Sequence, residues 1–246
     1  MNSIRSALVA GGAGSIGEEV VKTLLDSGFK VFVPFRPQDK IDRLKAYVAG
    51  PNAANLSLVP GDLSDGRSVA AVHQAILKVV PTLDLVVVSV GSKYFGHSLH
   101  KIPRESWDLF LSENLITHFN ILQEFLDQLY VQKSGVYITL TGPESETVIP
   151  DAGLMSVVSA AQKMMTRVAA QEASGTGVRV YSITSHTQVA TRSWGDKSST
   201  DMVTAQDLGQ YIMALVDKRI PGADKAQHDL DNRAQVEKLM RHYHQP

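Results

Sequence analysis

Six short runs rich in Val, Ile and Leu recur along this chain, each separated from the next by a stretch of helical periodicity. The runs are Ser6–Ala10, Lys30–Val33, Leu56–Val59, Leu83–Ser89, Val136–Leu140 and Val178–Ile183. Such near-continuous apolar content suits strands covered on both faces, as in a parallel sheet. Helical stretches lie near 16–27, 64–80, 104–131, 152–174 and 204–217. This alternation predicts an α/β domain: a doubly wound parallel sheet of about six to seven strands, helices on both faces and right-handed crossovers. Ser64 reads as a helix N-cap, and Thr204 with Asp207 resembles a capping box. The segment 192–203 is polar and loop-like, and the tail 232–243 suits a short helix. No repeat, low-complexity tract or linker divides the chain, so residues 1–246 are expected to form one domain. A domain this long buries roughly 70–75% of its unfolded surface and needs no staples.

Composition narrows the partners. There is no Cys, which excludes disulfides and thiolate metal sites. The net charge of −1 argues against a dedicated nucleic-acid or membrane surface. No apolar run approaches the roughly 20 residues of a membrane helix. The first residues do not read as a secretory signal, so a cytoplasmic location is expected.

The segment Gly11-Gly12-Ala13-Gly14-Ser15-Ile16-Gly17 follows the first expected strand and opens a helix. Gly12, Gly14 and Gly17 fit G-x-G-x-x-G. A Cβ at these positions would block the tight turn and the approach of backbone to a pyrophosphate, while the helix N-terminus offers free N–H groups to phosphate. Strand, loop and helix in this order make the motif a Rossmann-like dinucleotide fingerprint, and Gly28 supplies the turn before the second strand. That strand leads into Pro34-Phe35-Arg36. An NAD site usually places an acid there for the ribose hydroxyls; Phe35 takes that place and Arg36 follows. A guanidinium can clamp a 2′-phosphate, so NADP(H) is favoured over NAD(H).

With these residues, and over nearly its whole length, the chain resembles the short-chain dehydrogenase/reductase family. The glycine segment looks more like the family's extended branch, because Ser15 stands where the single-domain branch has glycine. Asp62, in Gly61-Asp62-Leu63-Ser64-Asp65, looks like the family's adenine-contacting acid, with Leu63 beside it. Ser89-Val90-Gly91 stands where the family has Asn-Ala-Gly, and keeps only Gly91. Glu105-Ser106-Trp107-Asp108, then Asn114-Leu115 and Phe119, resemble the long interface helix, with Asn114 similar to the structural and proton-relay asparagine. Thr166-Arg167, Glu172 and Gly177-Val178-Arg179-Val180 match the helix and strand that follow the active site. Thr191, after Val189-Ala190, resembles the carboxamide-contacting threonine.

The resemblance breaks at the catalytic set. Thr166-Arg167 puts the family's lysine at Ser159 and its tyrosine at Met155, and Pro150 independently gives Met155. The family's spacing then carries the serine to Gly142. In the family, the tyrosine moves the proton, the lysine lowers its pKa and holds the ribose, and the serine polarises the carbonyl. A Met thioether cannot transfer a proton. An alternative register uses Ser145, Ser159 and Lys163, but it needs a deletion after Lys163 and a longer loop before the helix. Lys163 otherwise reads as a lysine on a solvated helix face.

The polar residues left to do chemistry are Asn114, Thr141, Ser159 and His186. Thr141 ends the fifth strand and could hydrogen-bond a carbonyl. Ser159 could reach a ribose, and His186 stands where the family has Pro-Gly and could act as an acid. Each also has a bland reading, as a strand-end hydroxyl, a helix Ser bonded to its own turn, a loop His or a backbone-bracing amide. Lys93, Tyr94 and His97 lie on a loop that could touch a substrate, and the remaining histidines have no metal-ligand spacing. Apolar residues on more than one face of 104–131 and 152–174 imply, by the resemblance, a homodimer or homotetramer through these helices. The reading is an atypical NADP(H)-dependent reductase of a small, hydrophobic carbonyl compound. The alternatives are a non-catalytic NADP(H)-binding sensor or assembly partner, and a non-redox cyclase or isomerase reusing the pocket.

Overall fold

The structure, a computed structural model, describes residues 5–36, 41–197, 199–241 and 243. Position 198 of the polar segment and position 242 of the tail lie outside them. Seven parallel strands form one sheet: β1 (Ser6–Ala10), β2 (Lys30–Phe35), β3 (Leu56–Pro60), β4 (Leu85–Val88), β5 (Gly135–Thr141), β6 (Val178–Ser185) and β7 (Gln227–Leu230), in the order β3-β2-β1-β4-β5-β6-β7. The strand order reverses between β1 and β4, which opens a crevice at their carboxyl ends.

Strand periodicity sorts the core. Ala7, Val9, Val31, Val33, Leu85 and Val87 face one side and pack with Val20, Val21 and Leu24 of α1 (Gly17–Asp26) and Leu208, Ile212 and Leu215 of α7 (Ala205–Val216). Leu8, Ala10, Phe32, Val86, Val88 and Tyr137 face the other and meet α3 (Gly66–Leu77), α5 (Thr117–Gln132) and α6 (Gly153–Glu172). Both faces are therefore covered, and β1 is wholly buried. A third cluster, Phe110, Ala152, Leu154, Met155 and Val158, lies apart from the sheet.

The capping box of α7 is present: Thr204 Oγ1 accepts from the Asp207 N–H at 3.0 Å, and the Thr204 N–H donates to Asp207 Oδ2 at 3.1 Å. Ser64 is not an N-cap. Asp65 caps α3 by accepting from the Ser68 N–H at 2.7 Å, while the Ser64 hydroxyl is drawn back onto Asp62. The polar segment carries a short helical turn, Arg192–Lys197, and the tail holds α8 (Arg233–Met240). Two elements had no sequence signal. The helix α2 (Ile41–Tyr47) buries only Ile41 and Leu44, and β7 (Gln-His-Asp-Leu) is polar because it is an edge strand.

The stretch 104–131 is not one regular helix. It is α4 (Arg104–Phe110), a wide π-type turn (Leu111–Ile116) and α5. Asn114 sits in that turn, 3% exposed. Its amide donates to the Phe110 carbonyl at 2.9 Å and its side-chain oxygen accepts the Ser92 N–H at 2.9 Å. The irregular turn thereby ties the helix to the loop after β4.

Candidate active site

The glycine loop is built by close approach. A Cβ on Gly11 would stand 2.5 Å from the Ser89 carbonyl oxygen, and one on Gly17 would stand 2.1 Å from the Gly11 carbonyl oxygen. Gly11 also has φ of +80°, which disfavours any side chain. Gly12 would drive a Cβ to 2.8 Å from Val33. Gly12 and Gly17 are thus packing requirements, while Gly11 and Gly14 line the crevice. Among the described residues, the N–H groups of Ser15 and Ile16 donate to no carbonyl, and they sit at the N-terminus of α1. These are the donors a pyrophosphate takes, so the residues present fit a dinucleotide.

Two connected hollows share Gly14, Ser89, Val90 and Gly91. The outer one, about 210 Å³, is bounded by Phe35, Arg36, Asp62, Leu63 and Glu113. The Arg36 guanidinium is half exposed, and Glu113 lies 3.9 Å from it. Burial pushes the Asp62 carboxyl up. The Ser64 N–H and hydroxyl, both donating to Asp62 Oδ1, and the Arg36 charge outweigh this and hold it below the usual carboxylate value. Behind the crevice His118 donates through Nε2 to the Val90 carbonyl at 2.9 Å; burial pushes its pKa down to about 4, so it is neutral and braces the loop.

The inner hollow, about 520 Å³, brings together Asn114, Thr141, Gly142, Met155, Ser159 and Thr191. Met155 is 9% exposed, and its sulfur accepts the Tyr94 N–H at 3.1 Å. Thr141 shares a hydrogen bond with Thr184 at 3.1 Å, and Thr191 shares one with Ser193 at 2.8 Å. Gln162 donates to the Asn114 carbonyl at 3.4 Å. Of the loop residues, Lys93 reaches this hollow, with its ammonium 5.8 Å from the Trp194 ring centre, whereas Tyr94 packs edge-on against Phe110 and His97 is exposed.

Sequence reasoning missed Glu144. Its Oε1 accepts from the Ser159 hydroxyl at 3.0 Å, so Ser159 does not bond back to its own turn. Its Oε2 lies 2.4 Å from where a Cβ on Gly142 would stand. The carboxylate therefore fills the space between the positions expected for the serine and the lysine. The signal was an acid three residues past the end of β5, in Thr141-Gly142-Pro143-Glu144.

Two expectations fail on side-chain direction. Lys163 is not on a solvated face but is 3% exposed. Its ammonium donates to Thr184 at 2.8 Å and pairs with Glu146 at 2.9 Å and Asp229 at 3.4 Å. Burial pushes the Asp229 carboxyl up, but the Lys163 charge leads the interactions that hold it below its usual value. His186 joins this group, with Nε2 3.3 Å from Asp229, and is not among the residues lining the inner hollow. Glu146, His186 and Asp229 place their ligand atoms within 4.8 Å of one another, but the Lys163 ammonium already supplies the cation they surround. The alternative register is not assembled, since Ser145 donates to the Gly142 carbonyl and Lys163 points away.

The family described as enoyl-(acyl carrier protein) reductase matches residues 11–221. The chain belongs to the short-chain dehydrogenase/reductase family. Among its relatives in that family is a rhamnolipid-biosynthesis 3-oxoacyl-(acyl-carrier-protein) reductase of Pseudomonas aeruginosa, 30% identical over 129 residues, which are 51% of this chain and 48% of the relative. The match thus spans about half of that protein. The 3-oxoacyl-(acyl-carrier-protein) reductase FabG of Staphylococcus aureus is 23% identical over 184 residues, 74% of each chain. A structure of ElxO with NADP bound superposes with a TM-score of 0.80 at 17% identity, covering 93% of this chain and 97% of that one. That likeness is one of fold. Among the described residues no helix is long and apolar enough to cross a membrane.

Proposed function

We propose that this short-chain dehydrogenase/reductase is an NADP(H)-dependent oxidoreductase that reduces a polarised C=O or C=N bond of a small, largely apolar substrate without the family's tyrosine. The observation that carries the reading is a pair of adjoining hollows that share Gly14, Ser89, Val90 and Gly91. The pair has the glycine loop and Arg36 at one end and the hollow around Met155 and Ser159 at the other. The relatives named as reductases, and a structural neighbour holding NADP, support it.

The bound nicotinamide would supply hydride. The chain's own residues do the rest. Ser15 and Ile16 offer N–H groups to the pyrophosphate, Arg36 to a 2′-phosphate, and Asp62, with Leu63 beside it, faces the adenine end. Ser89 and Gly91, which line both hollows, would lie along the dinucleotide, and Thr191, on the inner hollow, would hold the carboxamide. Asn114 holds the loop after β4, and Thr141 lines the wall. The thioether of Met155 neither gives nor takes a proton. That same absence is the observation favouring a second reading, a nucleotide-binding protein without turnover.

Titration with NADPH and NADH by calorimetry, beside Arg36→Ala, tests the proposal. Tighter binding of NADPH, lost in the variant, supports it; failure to bind either nucleotide overturns it. The assembly we propose is a homodimer or homotetramer. Leu109, Ile116 and Phe119 on one helix stretch, and Val157, Met164 and Val168 on α6, are large apolar side chains exposed on those helices.

A further inference from the structure

The inner hollow combines an apolar wall with a carboxylate that no cation meets. Phe110, Ile149, Met155 and Val158 form the wall, with Phe95 and Trp194 towards its mouth. Among the described residues, Glu144 is in no ion pair, and its one hydrogen-bond donor is the Ser159 hydroxyl. Lys93 lines the same hollow, but its ammonium rests over Trp194 rather than on Glu144. Gly142 leaves the space that the carboxylate enters.

Charge decides what such a site suits. Reduction of a ketone builds negative charge on oxygen, and a productive site aims donors at it. Here the groups at the three family positions are a glycine, a thioether and a hydroxyl already given to Glu144, and the charge set against the glycine and the hydroxyl is negative. A protonated C=N group has the opposite demand. It arrives positive, an adjacent carboxylate favours its protonated form, and it needs no further proton.

We propose that the hollow binds a cationic nitrogen compound, an iminium ion in the reductive direction or the amine product in the ammonium form it takes once water has protonated it, with Glu144 as its counter-ion and Ser159 as the positioning residue. The inference rests on the reductase reading. In the step, the C=N carbon gains a hydride from the bound dihydronicotinamide and the π pair moves to nitrogen, which loses its formal charge. The nicotinamide is left oxidised, and no proton is transferred. This accounts for a proton-donor position filled by Met155.

The test begins with binding alone. Tetrahydroisoquinolinium and its neutral ether counterpart, isochroman, are titrated by calorimetry into the wild-type protein and into Glu144→Gln, whose fold is checked by circular dichroism. The wild type should take the ammonium about tenfold or more tightly than the ether, and the variant should lose that preference. Dihydroisoquinoline and tetralone are then compared as oxidants of NADPH, with the imine expected to be consumed and the ketone not. Equal binding of amine and ether, or a preference unchanged in Glu144→Gln, overturns the inference. So does NADPH binding with no imine reduced, or with the ketone preferred. Absence of NADPH binding instead sinks the reductase reading, and an amine preference erased in the variant then still supports the cation site.

Discussion

Glu144 and Gly142 occupy one another's space: the carboxylate Oε2 lies 2.4 Å from the Cβ that Gly142 lacks. Gly142→Ser should therefore push the Glu144 side chain out of the hollow, because its flexible end yields more readily than backbone. The protein should stay folded, within about 1 kcal/mol of the parent by urea denaturation. Its preference for an ammonium over a neutral ligand should fall towards that of Glu144→Gln. An unchanged preference would show that the carboxylate does not act from this position.

Lys163 is the buried member of its ion group, while Glu146 and Asp229 are 40% exposed at their side chains. Removing the acids strands a buried charge, and removing the lysine strands only part-solvated ones. Glu146→Gln with Asp229→Asn should cost about 3–5 kcal/mol, and Lys163→Met clearly less. Denaturant midpoints of the two variants check the order, and the reverse order would sink the argument.

His118 is pushed down to about 4 by burial, against an ordinary value of 6.5, and burial lowers His228 as well. The unfolded chain therefore binds these protons at higher pH than the folded one. The contribution of His118 is complete above pH 6.5 and is lost as the pH falls towards 4, at up to about 1.4 kcal/mol per pH unit, and His228 acts in the same direction. His118→Gln, which can still donate to Val90, should flatten this slope in a pH series of thermal melts without abolishing it.

Phe119 on α5 and Met164 on α6 are 47% and 53% exposed. If the helices pair between copies, Phe119→Glu with Met164→Glu should shift the protein to a monomer in light scattering, since a buried aromatic anchor contributes about 2 kcal/mol or more. A parent that is already monomeric would refute the assembly.

Much of this protein was determined by its sequence alone. The six apolar runs all became strands, the glycine spacing reappeared as a loop in which a Cβ collides with backbone, and the Thr204–Asp207 cap formed as expected. These signals are local, because strand burial, tight turns and caps are settled by residues a few positions apart. Tertiary structure decided the rest. Lys163 lies on the same helical stripe as Met155 and Ser159, yet only the fold brings Glu146, from the loop after β5, and Asp229, 66 residues later, to its ammonium and makes its burial tolerable. His186 follows β6, whose last residues line the crevice, but Asp229 on the edge strand β7 holds its ring outside the hollow. Glu144 meets Ser159 across 15 residues because a helical turn folds the chain back over Gly142. Periodicity records which face of an element is buried, not which distant charge will stand opposite it, and the chemistry of this site depends on the latter.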